Sequence, residues 1–78
     1  MEFKVGQIFK SEKHGSIITV SKIEDSRPFS KVTFKIEVPR DKWEACTTWY
    51  SDVLAGFIEA HDFSLRGESN DNPKVTER

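Results

Sequence analysis

Between Val38 and His61 the apolar residues recur at helical spacing, and any fold of this chain has to bury that pattern. Stepped at about 100° per residue from Trp43, the positions Trp43, Cys46, Thr47, Tyr50, Val53, Leu54, Phe57 and His61 fall on one side, with Glu44, Ser51, Ala55 and Glu59 opposite. Asp41 follows Pro39 and precedes Glu44 by three residues. That is a capping-box pattern, in which each side chain satisfies an orphan backbone N–H at a helix start. The spacing therefore predicts one amphipathic helix over residues 41–61. Its apolar arc is wider than a single core face requires. The excess is a flanking stripe of Ala45, Trp49, Gly56 and Ala60, a candidate dimer or partner interface. Gly56 is its odd member, because Gly within a helix costs about 1 kcal/mol relative to Ala. Either it marks a break, with Ser51 or Asp52 capping a second, shorter helix, or small residues around Trp49 admit a second subunit.

Upstream the period changes from 3.6 to 2. From Ser30 to Val38 the chain alternates, with Val32, Phe34, Ile36 and Val38 on one face and Lys31, Thr33, Lys35 and Glu37 on the other. Ser16 to Ile23 is rich in β-branched residues, which suit a pleated surface. Residues 3–10 read as a further strand interrupted by Gly6, and Ser11 to Gly15 as the turn between the two. Phe63, Ser64 and Leu65 can add a last strand or pack back on the sheet. The expected fold is α+β, an antiparallel meander of three to four strands packed on one C-terminal amphipathic helix. An SH3-like small β-barrel with an added helix is the alternative. Residues 1–66 form a single domain in this reading, and residues 67–78, with almost nothing to bury, a disordered polar tail.

Seventy-eight residues lie near the lower limit for a self-sufficient core, and six Phe, two Trp and one Tyr supply the area for one. A homodimer would relieve the shortage of buried surface. Cys46 has no second cysteine to pair with, which fits a reducing compartment. The apolar run Val53 to Ile58 is far short of the ~20 residues of a membrane span. The start Met1-Glu2-Phe3-Lys4 lacks the build of a signal peptide, so the cytoplasm is the expected location. Charge is uneven: residues 1–40 carry eight Lys/Arg against five Asp/Glu, and residues 41–78 carry four against eight. The strand half is basic and the remainder acidic.

Catalytic signatures are missing from this pattern. No phosphate loop, dinucleotide fingerprint or Cys/His metal spacing occurs, so neither a cofactor nor a metal is expected. His14 falls in a turn, where a solvated imidazole is ordinary. His61 ends the expected helix, where a cation meets the negative end of the macrodipole. Cys46 reads as a small hydrophobe rather than a nucleophile. The chain is expected to bind rather than to catalyse.

The binding surface suggested by the alternation is the polar face of the sheet. Lys22, Lys31 and Lys35 can contact phosphates there, and Thr19, Ser21 and Thr33 can add secondary polar contacts. Phe3, Phe9 and Phe29 are candidates for base stacking. The same face also fits a bland role, since half-buried sheets commonly carry Lys outward.

The order of strands followed by a helix resembles the positive cofactor four type of transcriptional coactivator, a family of dimeric single-stranded-DNA-binding proteins. The best local match is Ile36-Glu37-Val38-Pro39-Arg40-Asp41-Lys42-Trp43, similar to that family's junction of an alternating strand with a helix carrying an acidic residue and a Trp in its first turn. Gly15 and the β-branched run to Ile23 resemble its second strand, and the likeness covers residues 13–58. Around Gly15 the family tends to place aromatic and Lys residues, whereas Lys13, His14 and Ser16 stand here. Thr33 and Phe34 beside Lys35 do not repeat its basic pair. The resemblance thus implies the fold and a helix-mediated dimer more than DNA binding. Two functions emerge: an accessory or regulatory module contacting single-stranded nucleic acid, or a protein-binding adaptor or inhibitor, of phage-derived type, acting through Trp49.

Overall fold

The computed structural model describes residues 2–68. Its elements are β1 (Gln7–Ser11), β2 (Ser16–Glu24), β3 (Lys31–Val38), a 3-10 turn (Pro39–Asp41), β4 (Trp43–Tyr50), α1 (Ser51–Ala60) and β5 (Phe63–Glu68). The strands form one antiparallel sheet in the order β4-β3-β2-β1-β5, and α1 packs across one of its faces. β4 and β5 are the two edges and do not pair, so the sheet stays open rather than closing into a barrel. The α+β expectation of a meander with a covering helix holds, with five strands and a shorter helix. No helix among the described residues is long and apolar enough to cross a membrane.

Local chemistry accounts for the turns. Gly15 takes φ +66°, a conformation that costs Gly nothing, and its N–H donates to the Ser11 carbonyl at 2.7 Å to close the β1–β2 turn. After β3, Pro39 starts the 3-10 turn, and Lys42 at φ 51° donates its N–H to the Pro39 carbonyl. The chain thereby reverses and β4 pairs with β3 without a register shift, from Val38 opposite Trp43 to Lys31 opposite Tyr50.

This reversal corrects the expected 41–61 helix. Trp43–Tyr50 is a strand, and only Ser51–Ala60 is helical. Trp, Tyr and paired Thr favour a pleated strand. The same eight residues also alternate, with Trp43, Ala45, Thr47 and Trp49 on the helix-covered face. Strand pairing wins because it gives the backbone groups along the edge of β3 hydrogen-bond partners. Asp41 consequently lies in the turn and caps no helix. α1 begins after Tyr50 without a side-chain cap, held instead by the Ser51 N–H donating to the Ser30 carbonyl at 2.8 Å. The octet that resembled a strand-to-helix junction is a strand-turn-strand connection.

The core lies between sheet and helix. Phe9, Ile18, Val20, Val32, Phe34 and Phe63 come from the strands, Phe3 from the segment before β1, and Leu54 and Ile58 from α1. Leu54 and Ile58, four residues apart, stand on one side of the helix and point at the sheet. Trp49 packs edge-on against Phe34 and Phe57, with ring centroids 5.1 and 5.3 Å away. Trp43, Tyr50 and Val53, expected in the core, are about half exposed. Ser11 is fully buried: its hydroxyl donates to the His61 carbonyl at 2.8 Å and accepts the His14 N–H at 3.3 Å, tying the first turn to the end of α1. Of the two options for residues 63–65, the last strand forms, and it runs on to Glu68, so residues 67 and 68 belong to it. The rest of the expected disordered tail, residues 69–78, lies outside the described residues.

Candidate functional site

Because α1 covers one face of the sheet, the opposite face is uncovered among the described residues, and strand register fixes which side chains it carries. On β3 these are Lys31, Thr33, Lys35 and Glu37, the set that the alternation places outward. Thr19 lies opposite Lys35, Lys22 opposite Thr33, and Glu24 opposite Lys31. The register shifts between Val20 and Lys22, and the extra residue there is Ser21, whose hydroxyl donates to the Thr33 carbonyl at 3.1 Å. From β4 the face receives Glu44, Cys46, Thr48 and Tyr50, and Thr48 shares a 2.8 Å hydroxyl–hydroxyl hydrogen bond with Thr33. The six residues expected on this surface therefore fall on adjacent positions of β2 and β3.

Their electrostatic setting is mixed. Lys35 lies 3.8 Å from Glu37 across partly exposed side chains, Glu24 faces Lys31, and Glu37 faces Glu44 on the next strand. Three lysines thus share the β2–β4 part of the face with three carboxylates. Lys22 and Lys31 stand toward one end, while Glu37 and Glu44 mark the other. Two of the hydroxyl groups, those of Ser21 and Thr33, already have partners within the protein.

The aromatic expectations change. Phe3 and Phe9 are buried and packed edge-on against each other at 5.8 Å, so neither can stack a base, while Phe29 is partly exposed in the β2–β3 loop. The residue that sequence reasoning missed is Tyr50. Assigned to a helix core, it stands instead at the end of β4, 46% exposed and directly opposite Lys31. The signal was the period-2 alternation of 43–50, which the coincident helical spacing hid.

The interface stripe does not form as one surface. Ala45 and Trp49 belong to β4, Gly56 and Ala60 to α1, and the Trp49 indole is engaged by Phe34 and Phe57. Gly56 sits inside α1 and does not break it. His14 and His61, far apart in sequence, have rings 5.5 Å apart, with His61 also against Phe57 at 4.5 Å. No group of three or more His, Cys, Asp or Glu able to hold a metal occurs among the described residues. The chain matches no protein-family model, no curated protein and no solved structure.

Proposed function

We propose that this chain is a non-catalytic binding module that lays single-stranded nucleic acid across the uncovered face of its sheet, in an accessory or regulatory role. The observation that carries the reading is the juxtaposition of exposed Tyr50 with Lys31, with Lys22 and Lys35 on the same face. A single strand needs an aromatic platform for its bases and cations for its phosphates, and this surface offers one of each side by side. Glu24 and Glu37 beside the lysines make the expected complex weak and sensitive to salt. Cys46, exposed and without a second cysteine, suits a reducing location such as the cytoplasm. The competing adaptor reading rests on Trp49, whose indole is partly buried and packed edge-on against Phe34 and Phe57.

Fluorescence anisotropy with a labelled oligothymidine tests this directly. Binding should appear at low salt and fall with a log–log slope of about −2 if the three lysines each meet a phosphate. The double variant Lys31→Glu/Lys35→Glu should abolish it, and Tyr50→Ala should weaken it by about 1–3 kcal/mol through lost stacking. A flat titration of the intact chain at low salt rejects the proposal.

A further inference from the structure

The edge of β4, unpaired among the described residues, carries a second inference, argued from strand pairing, that also engages Tyr50 and Lys31 of the proposed nucleic-acid face. An edge strand exposes unpaired N–H and C=O groups, and natural sheets blunt such edges with Lys, Pro, bulges or shortness. The β5 edge shows such features: a register irregularity, Gly67 at φ +153°, and Arg66 held to Glu12 at 2.7 Å. β4 has none of them. It is eight residues long, contains neither Lys nor Pro, keeps an unbroken register with β3, and carries a single charge, Glu44.

β4 is also complementary to itself. In Trp43-Glu-Ala-Cys-Thr-Thr-Trp49, Cys46 is central and an indole stands three residues to either side. A two-fold axis normal to the sheet at Cys46 sets Cys46 opposite its copy, Ala45 opposite Thr47, Glu44 opposite Thr48, and Trp43 opposite Trp49. No like charges meet. A shallow cavity of about 360 Å³, lined by Lys31, Thr48, Trp49, Tyr50 and Val53, opens at the Trp49 end of the strand. Trp43, at the other end, is 53% exposed. In this register the Trp43 indole of each copy comes opposite Trp49 of the other on the helix-covered face, at the Trp49 and Val53 side of the cavity, and Lys42 comes opposite Tyr50, where its ammonium can lie against the ring. Placing the axis at Thr47 instead would carry Trp43 past the strand end to Ser51 and leave both features unused.

We infer that the occupant of this edge is a second copy of the chain, joined β4 to antiparallel β4 about Cys46, in a closed, isologous dimer with one continuous ten-stranded sheet. Both helices lie on the same face, and the uncovered faces become continuous. This surface differs from the helical stripe of Ala45, Trp49, Gly56 and Ala60. The device is also suited to a chain whose core is small for its surface.

Sedimentation equilibrium of the intact chain should give about twice the 9.0 kDa monomer mass at micromolar concentration and dissociate on dilution. Trp43→Ala, lost from the helix-covered side, should weaken dimerisation about 30-fold or more. Cys46→Asp, which sets two carboxylates face to face from the other side, should give a monomer. Circular dichroism should remain that of the folded chain in both. Sensitivity to both substitutions places the contact at the edge between the two faces. A short bismaleimide should link Cys46 to Cys46, because directly opposed residues of an antiparallel pair have Cα atoms about 4.5–5.5 Å apart. A chain that stays monomeric into the hundreds of micromolar overturns the inference. So does a dimer that survives both substitutions and is not cross-linked through Cys46.

Discussion

Gly56→Ala is a clean test of how α1 is built. Gly56 is the sixth of ten helical residues, it is exposed, and its φ is not among the positive ones. A Cβ placed there meets nothing within 4 Å. Neither a clash nor a new packing contact therefore enters the balance, and two descriptions of the same effect remain. Ala is favoured over Gly in a helix interior by about 0.8–1.0 kcal/mol. Seen from the unfolded chain, removing the extra freedom of Gly stabilises the fold by about 0.4–1 kcal/mol. These describe one contribution and are not summed, so the expected gain is about 0.5–1 kcal/mol. For a domain of this size that raises Tm by about 2–8 °C. Urea denaturation followed by tryptophan fluorescence is the assay, because Trp49 reports the core between Phe34 and Phe57 while exposed Trp43 contributes a steadier background. The midpoint should rise with an unchanged m-value, with both proteins at the same concentration so that any contribution from a dimer is matched. A midpoint that stays put or falls would refute the reasoning. It would mean that helix propensity does not govern position 56 in this fold.

Two neighbouring residues of α1 should respond in opposite ways. Leu54→Ala removes a fully buried side chain and should cost about 2–5 kcal/mol, whereas Val53→Ala, at a half-exposed position, should stay within about 0.5 kcal/mol in the same urea titration. Equal losses at both positions would put the helix in a different rotation. Ser11→Ala strips the His61 carbonyl of its donor and the His14 N–H of its acceptor, and should destabilise by about 1–3 kcal/mol. Hydrogen exchange at the His14 amide should quicken in that variant beyond what the global loss explains, and an unchanged rate would show that the bond does not hold the turn.

Much of the sheet was legible because its signals are local. The alternation of residues 30–38 fixes which side chains of β3 face the helix, and the β-branched run fixes β2. Gly15 marks the turn joining β1 to β2 because few other residues tolerate its backbone. The candidate lysines and hydroxyls follow from the same alternation. Residues 43–50 were not legible, because Trp43, Thr47 and Tyr50 satisfy a helical period while Trp43, Ala45, Thr47 and Trp49 satisfy a strand period. A capping pattern at Asp41 and Glu44 lent weight to the wrong one, since it describes what side chains can do only if a helix starts there.

By itself, the sequence determined the two-layer plan: large apolar side chains at period 2 must be covered, and the amphipathic residues 51–60 are what the chain has to cover them with. Tertiary structure decided where the strands stop and the helix starts. The edge of β3 leaves a row of backbone groups without partners, and the αL turn at Lys42 lets the next eight residues fill it. That pairing, invisible to any local period, also rotated Tyr50 out of the expected core to stand beside Lys31, and made Trp43–Tyr50 a free edge in place of a buried helix.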